Sequence, residues 1–219
     1  CATHTTTYNA DPETVVPYSA FTSNFRNPPT AFRPVPFWSL NETLEPDEIR
    51  RQVRAFHAAG WGGVCLHSRI GLLTPYLSES WFTACAAAIE ECERLAMTVI
   101  LYDEDKWPSG FSGGSVPLAN PSFRMKALMA LPHGQPAPEG STPLYEGFGL
   151  TIYRWVAPLG NAWFNGTCYS DLMHDGAMAK FCVDAYEPYH RHFAKHFGKT
   201  VVAAFTDEPC AIIRLQVPG

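Results

Sequence analysis

Along much of the chain, the pattern of hydrophobic and polar positions predicts strands that are each followed by a helix. Residues 35–41, VPFWSLN, form a short apolar run typical of a strand. The following segment, PDEIRRQVRAFHAAG, predicts a helix with an apolar stripe at Ile49, Val53 and Phe56. Pro46 suits the first helical position, and Gly60 suits the position just after the helix.

The same pattern returns in the next segments. GGVCLHS (62–68) predicts a second strand, and Ser78 can cap a helix after it. The apolar face of that helix comprises Trp81, Phe82, Cys85, Ile89, Cys92 and Leu95. MTVILYDED (97–105) predicts a third strand, and VVAAFT (201–206) predicts a fourth that is buried on both faces.

The segments between the third and fourth strands are less regular. SFRMKALMAL (122–131) predicts a short helix, and residues 144–160 alternate enough for an extended excursion. A long helix is predicted from about Gly176 to Phe197. Pro188 removes one hydrogen bond inside it and should kink or split it.

Strands followed by helices predict a parallel sheet covered by helices, and therefore an α/β fold. Either an open doubly wound sheet or a (β/α)8 barrel fits, and both place chemistry at the carboxyl ends of the strands. We interpret residues 1–33 as an N-terminal arm or lead-in. Residues 34–219 would form the α/β domain, with an extended insertion at about 134–172.

Composition narrows the class of protein. The 219 residues carry a formal charge of −5 without a basic run, which argues against a nucleic-acid partner. No apolar stretch is long enough for a membrane span. The seven cysteines lack CxxC or zinc spacing, so we expect mostly buried free thiols.

Polar or aromatic residues follow every predicted strand, and at the fourth strand they are Asp207 and Glu208. So many polar groups are costly at strand tips unless they face a shared wet pocket. Glycoside hydrolysis needs a carboxylic acid that protonates the leaving oxygen. We predict this catalytic role for Glu208 and a supporting or substrate-binding role for Asp207. The structural alternative is that Glu208 caps the next turn or pairs with Arg69.

Two further clusters could bind a sugar. His67 and Arg69 end the second strand and share one face by alternation, where they could bind substrate oxygens or a nearby acid. Asp103 and Asp105 would likewise share a face, with Glu104 pointing away, and Trp107 offers a flat ring to a sugar. The alternative for this second cluster is a solvated acidic loop.

The loop after the third strand also contains a G-x-S-x-G match centred on Ser112. That pattern marks the nucleophile elbow of α/β-hydrolases only when a strand precedes it directly and a helix follows. DKWPS separates the match from the strand, so a serine nucleophile is disfavoured. Asn165 begins a glycosylation acceptor sequence, as does Asn41, which looks more like a pocket residue.

Several stretches, in order along the chain, resemble the α-L-rhamnosidase-type glycoside hydrolases of family 106. They are PFWSLN, GWGGVCLHSRIGLLTPYLSESWF, LYDEDKWPSGFSGG, GNAWFNGTCYSDLM and FTDEP. The resemblance implies a (β/α)8 catalytic barrel, of which this chain supplies the first four strand–helix units. It also implies hydrolysis of terminal sugars, with α-L-rhamnosides of plant-type polysaccharides as substrates. Glu208 would be the catalytic acid, and the sugar site would comprise Trp38, Asn41, His67, Arg69, Asp103, Asp105, Trp107 and Asp207.

The resemblance further implies inversion and a calcium ion, without assigning its ligands. A whole barrel needs roughly 250 residues. We therefore expect a missing C-terminal half to carry the second carboxylate, and the chain alone to be inactive. An extracellular or periplasmic location is slightly favoured over the cytoplasm. The rival hypothesis is a non-catalytic carbohydrate-binding remnant of the same fold.

Overall fold

The computed structural model describes residues 17–211 and contains a four-stranded parallel sheet. Its strands are β1 (Phe37–Glu42), β2 (Gly63–Leu72), β3 (Thr98–Tyr102) and β7 (Val201–Phe205), in the order β1-β2-β3-β7. All three pairings are parallel. The mixed α/β class predicted from the sequence is confirmed.

Two helices cover one face of this sheet, α2 (Pro46–Ala58) and α3 (Glu79–Arg94). Pro46 lies in the first turn of α2, and the Ser78 side chain accepts a hydrogen bond of 3.2 Å from the Trp81 backbone N–H. Burial of the apolar stripes of both helices against the sheet stabilises them far more than these caps do. The core on this side includes Val53, Val64, Trp81, Ile89, Val99 and Leu101.

An antiparallel sheet follows β3 in the chain. It contains β4 (Lys126–Pro132), β5 (Ser141–Gly147) and β6 (Leu150–Val156), in the order β4-β6-β5. The helix predicted at 122–131 is therefore wrong. Met129 and Leu131 are buried at a spacing of two, and β4 pairs along its whole length with β6. This pairing overrides the helical preference of Ala, Leu and Met.

The predicted long helix is divided, as Pro188 indicated. It consists of α5 (Asp175–Phe181), a π-helical turn (Cys182–Tyr186) and α6 (Glu187–Phe193), with Pro188 in the first turn of α6. Proline has no N–H to donate, so it is tolerated where a helix begins again. Two further short α-helices are α1 (Tyr18–Arg26) and α4 (Ser115–Ala119). No helix within 17–211 has the length and apolar character that crossing a bilayer requires.

The parallel sheet is strongly curled. Phe37 on β1 and Phe205 on β7 belong to opposite edges, yet their ring centroids are 4.8 Å apart. In a flat sheet three strand spacings would separate these edges by roughly 14 Å. The concave face therefore closes over an aromatic cluster that also includes His67 and Tyr102.

The expectation that the fourth strand is buried on both faces is wrong within the described residues. Val201 is buried, but Val202 is 50% exposed and both alanines of β7 are exposed. The reason is topological, because β7 is an edge strand of the sheet formed by residues 17–211. Of the cysteines, Cys65, Cys85, Cys92 and Cys168 are buried free thiols, as predicted, and Cys1 lies outside the described residues.

Candidate functional site

The carboxyl ends of β3 and β7 are bound to each other. The Tyr102 hydroxyl donates a hydrogen bond of 2.8 Å to the Asp207 carboxylate. Ser109, in the loop after β3, donates its N–H to the Asp207 carbonyl at 3.0 Å. The Asp207 N–H returns a bond of 2.9 Å to the Ser109 hydroxyl. These three bonds fix the start of the Asp207–Glu208 turn against the tip of β3.

Glu208 is exposed at this turn. Its backbone is in the left-handed region, with φ at 41°. A non-glycine residue there costs on the order of 1 kcal/mol or more, so the surrounding bonds must hold the turn. Its carboxylate makes no hydrogen bond or ion pair with any residue in 17–211. The alternative pairing with Arg69 is thus not formed.

His67 and Arg69 contact each other at the end of β2. The Arg69 guanidinium lies 3.2 Å from His67 Nε2, and the His67 ring packs on Tyr102 with centroids 3.8 Å apart. His67 is 3% exposed, and its Nδ1 has no partner among the described residues. Burial, followed by the Arg69 charge, lowers the pKa of His67 to about 4. At neutral pH this imidazole is therefore neutral.

Asp103 holds several loops together. Its carboxylate accepts three short bonds from hydroxyls: 2.5 Å from Ser109, 2.5 Å from Tyr186 and 2.6 Å from Thr206. It is 2% exposed. Tyr186 reaches it from the end of the π-helical turn. The structure places Asp103 in a buried network of hydroxyl groups, and its substrate-binding role stays a prediction.

Glu104 organises the loop after β3, a role that the sequence did not reveal. One carboxylate oxygen accepts the N–H groups of residues 110, 111 and 112, and the other accepts those of residues 105 and 113. Burial raises the pKa of Glu104 to about 7, against the opposing effect of these N–H groups. Gly110, Gly113 and Gly114 adopt positive φ, which lets the backbone wrap this carboxylate. In the sequence, these closely spaced glycines were the only indication that the loop wraps around a buried group.

Asp105 lies at the wall of a cavity of about 620 Å³ beside the rim. It accepts bonds of 2.7 Å from the Ser68 hydroxyl and 2.6 Å from the Asn165 amide. Arg69 and Lys106 line the same cavity. Asp103 and Asp105 therefore bind different partners, because β3 ends at Tyr102 and strand alternation does not continue beyond it.

The remaining expected sugar ligands differ in placement. Trp38 lies on the helix-covered face of β1, donates to Gln52 at 3.0 Å and packs on Phe56, so the structure removes it from the rim. Trp107 is 37% exposed and meets the Trp163 ring edge-on. Asn41 is exposed near the end of β1.

The described residues do not form a metal site or a serine nucleophile site. Within 17–211 no three His, Cys, Asp or Glu side chains cluster in a way that could hold a metal ion. Because three hydroxyls hold Asp103 and five backbone N–H groups hold Glu104, the described residues do not fit the calcium ion that the resemblance implied. Ser112 follows a loop and not a strand, and no described histidine bonds to it, so the G-x-S-x-G match is not a nucleophile elbow.

Comparisons with known proteins identify no family. No protein-family model matches the chain, and no curated protein does. Among solved structures, the chain is similar to a rhamnosidase from Novosphingobium sp. PP1Y, with 24% identity and a TM-score of 0.40. The match covers 56% of this chain and 12% of that protein. At this level the similarity carries no argument about fold or activity.

Proposed function

We propose that this chain is part of the catalytic barrel of a glycoside hydrolase that acts on terminal sugars, with α-L-rhamnosides as substrates. The main support is the rim itself. Asp207 and Glu208 follow β7, and Tyr102 and Ser109 hold Asp207 against the tip of β3. Polar ends of parallel strands that meet at one rim are the usual place for chemistry in α/β folds.

The curled sheet supports the barrel. Contact between Phe37 and Phe205 brings the two edge strands of residues 17–211 towards each other around an aromatic interior. We propose that further strands pair with β7 and complete a (β/α)8 barrel. The exposed face of Val202 and Ala204 would then be covered by the next strand–helix unit.

In this mechanism Glu208 donates a proton to the glycosidic oxygen as the bond to the anomeric carbon breaks. Its carboxyl group is free of other partners within 17–211 and so remains available. Arg69 would bind a sugar hydroxyl next to it, and His67 would hold the Arg69 guanidinium in place through Nε2. A second carboxylate must activate the attacking water. Asp103 and Glu104 cannot serve, because hydroxyl and backbone groups occupy their oxygens.

The test is the hydrolysis of two rhamnosides by the complete protein that contains this chain. One substrate carries a poor alkyl leaving group, and the other carries an activated aryl group that needs little protonation. Glu208→Gln should lose about 100-fold or more of kcat on the alkyl substrate and far less on the aryl substrate. Glu90→Gln, at an exposed carboxylate on α3, is the matched control.

Equal losses on both substrates would show that Glu208 does not act as the acid. Full activity of Glu208→Gln would remove it from the mechanism. If the wild-type protein binds rhamnose but hydrolyses neither substrate, the chain belongs to a carbohydrate-binding protein and the hydrolase proposal is wrong.

A further inference from the structure

A second binding function is suggested by the cavity that Asp105 lines. It is about 620 Å³ in volume, large enough for a small ligand. The end of β2, the loops after β2 and β3, and α4 form most of its walls, and Asn165 and Asp184 complete them. Its polar side chains fall into two groups. The acceptor side chains already bond to neighbouring residues, whereas the N–H and O–H groups of the donor side chains are largely without hydrogen-bond partners within residues 17–211.

Each acceptor side chain of the cavity described below already takes part in hydrogen bonds. Each Asp105 oxygen accepts one bond, from Ser68 or from Asn165. Asp184 accepts bonds from Ser115 and Lys180. The Asn165 carbonyl oxygen accepts from Lys106, and its amide group donates to Asp105 and to the Gly113 carbonyl.

The donors of the cavity are largely unused. Arg69 pairs with no carboxylate among residues 17–211, and its one side-chain contact is His67 Nε2. Lys106 contacts Asn165 and likewise pairs with no described carboxylate. Ser112 is 4% exposed, and its hydroxyl has no hydrogen-bond partner in the described part of the chain. A buried hydroxyl without a partner costs about 1–3 kcal/mol, which a ligand bond would recover.

We infer that this cavity binds an oxyanion, with Arg69 and Lys106 supplying the charge and Ser112 supplying a neutral hydrogen bond. Guanidinium and ammonium groups with free N–H bonds are the side chains that recognise carboxylate, sulfate and phosphate groups. A neutral sugar hydroxyl would leave most of these donors unused. The oxyanion is either the carboxylate of an acidic sugar or a tetrahedral sulfate or phosphate group. This binding does not require that the protein hydrolyse anything.

Ligand-observed NMR on the whole chain tests the inference. The probes are D-glucuronate, inorganic sulfate and the neutral control D-glucose. We expect at least one of the two anions to bind and D-glucose not to bind, with binding that weakens as salt is added. D-Glucuronate alone would identify a carboxylate site, and sulfate alone would identify a site for tetrahedral oxyanions.

Three variants and one matched control complete the experiment. Arg69→Gln and Lys106→Gln should each weaken anion binding about tenfold, as the loss of a charge-assisted hydrogen bond predicts, and Ser112→Ala should weaken it less. Arg191→Gln, at an exposed arginine on α6, should bind as the wild type does. Near-UV circular dichroism checks that each variant is folded.

Lys106→Gln is the decisive variant, because Lys106 is partly exposed and contacts one side chain, so its loss should not disturb folding. Unchanged anion affinity in a folded Lys106→Gln protein would overturn the inference. Equal binding of D-glucose and D-glucuronate, or binding of neither anion, would overturn it as well. Glu208→Gln should leave anion binding intact, so failure of hydrolysis and failure of this site are distinguishable.

Discussion

Ser109→Ala is the most informative perturbation of the rim. The Ser109 side chain is fully buried and joins two groups: it donates to Asp103 at 2.5 Å and accepts from the Asp207 N–H at 2.9 Å. Alanine removes both bonds without adding volume. It leaves a partly buried backbone N–H without an acceptor just before Glu208.

The magnitude follows from these two bonds. A hydrogen bond to a charged group contributes about 1.5–3 kcal/mol, and a buried N–H left without an acceptor costs about 1–3 kcal/mol. Because Asp103 keeps its bonds from Tyr186 and Thr206, we place the loss near the lower end. The free energy of unfolding should fall by about 2–4 kcal/mol, a large part of the roughly 5–15 kcal/mol of a typical domain.

Urea denaturation followed by tryptophan fluorescence measures this loss, and hydrogen exchange at the Asp207 amide localises it. Ser170→Ala is the matched control, because the Ser170 hydroxyl is also buried but has no hydrogen-bond partner in the described residues. It should change stability by less than about 0.5 kcal/mol or increase it. If Ser109→Ala is as mild as Ser170→Ala, and exchange at Asp207 does not accelerate, the turn is not held by Ser109.

Three other predictions concern single side chains. Tyr186→Phe removes a short hydrogen bond to Asp103 and should lower the free energy of unfolding, measured by urea denaturation, by about 1.5–3 kcal/mol. Tyr145→Phe, at an exposed residue, should lower it by almost nothing. Equal effects would show that the Tyr186 hydroxyl does not stabilise the fold through Asp103. The pKa of His67 is about 4 in the folded chain and about 6.5 in the unfolded chain. As pH falls, His67 is therefore protonated in the unfolded chain first, which favours unfolding. Stability that is present above pH 6.5 should be lost towards pH 4, by at most about 2 kcal/mol because solvent screens the charge of the partly exposed Arg69 that contributes to the shift. His67→Gln should lack this part of the pH slope. A thiol reagent should label exposed Cys182 well before buried Cys85, whose pKa burial holds far above its usual range; simultaneous labelling in the folded chain would show that the α3 core opens.

The parallel part of the fold could be predicted from the sequence because its signals are local. Near-continuous apolar runs identify β1, β2 and β3, and the cap at Ser78 and the proline at 46 mark where helices begin. The antiparallel sheet could not be predicted with the same rules. Residues 126–132 carry good helix formers, and their strand state depends on pairing with a segment that begins at Leu150.

The sequence predicted that polar strand ends lie near one another, but it did not predict the contacts of the acids among them. Strand tips indicated where Asp103, Asp105 and Asp207 would gather. Whether a carboxylate is free or saturated depends on distant residues such as Tyr186 and Asn165, and nothing in the local pattern announces them. As a result, three acids in a row after β3 have three different surroundings.

We propose that Glu208 lies beside His67 and Arg69 at one sugar-binding rim. A crystal structure of the complete protein that contains this chain, soaked with L-rhamnose, tests this arrangement. We expect a sugar ring within hydrogen-bonding distance of Glu208 and of Arg69. A ring bound elsewhere, or a Glu208 carboxylate directed to the opposite side of the rim from His67, would contradict it.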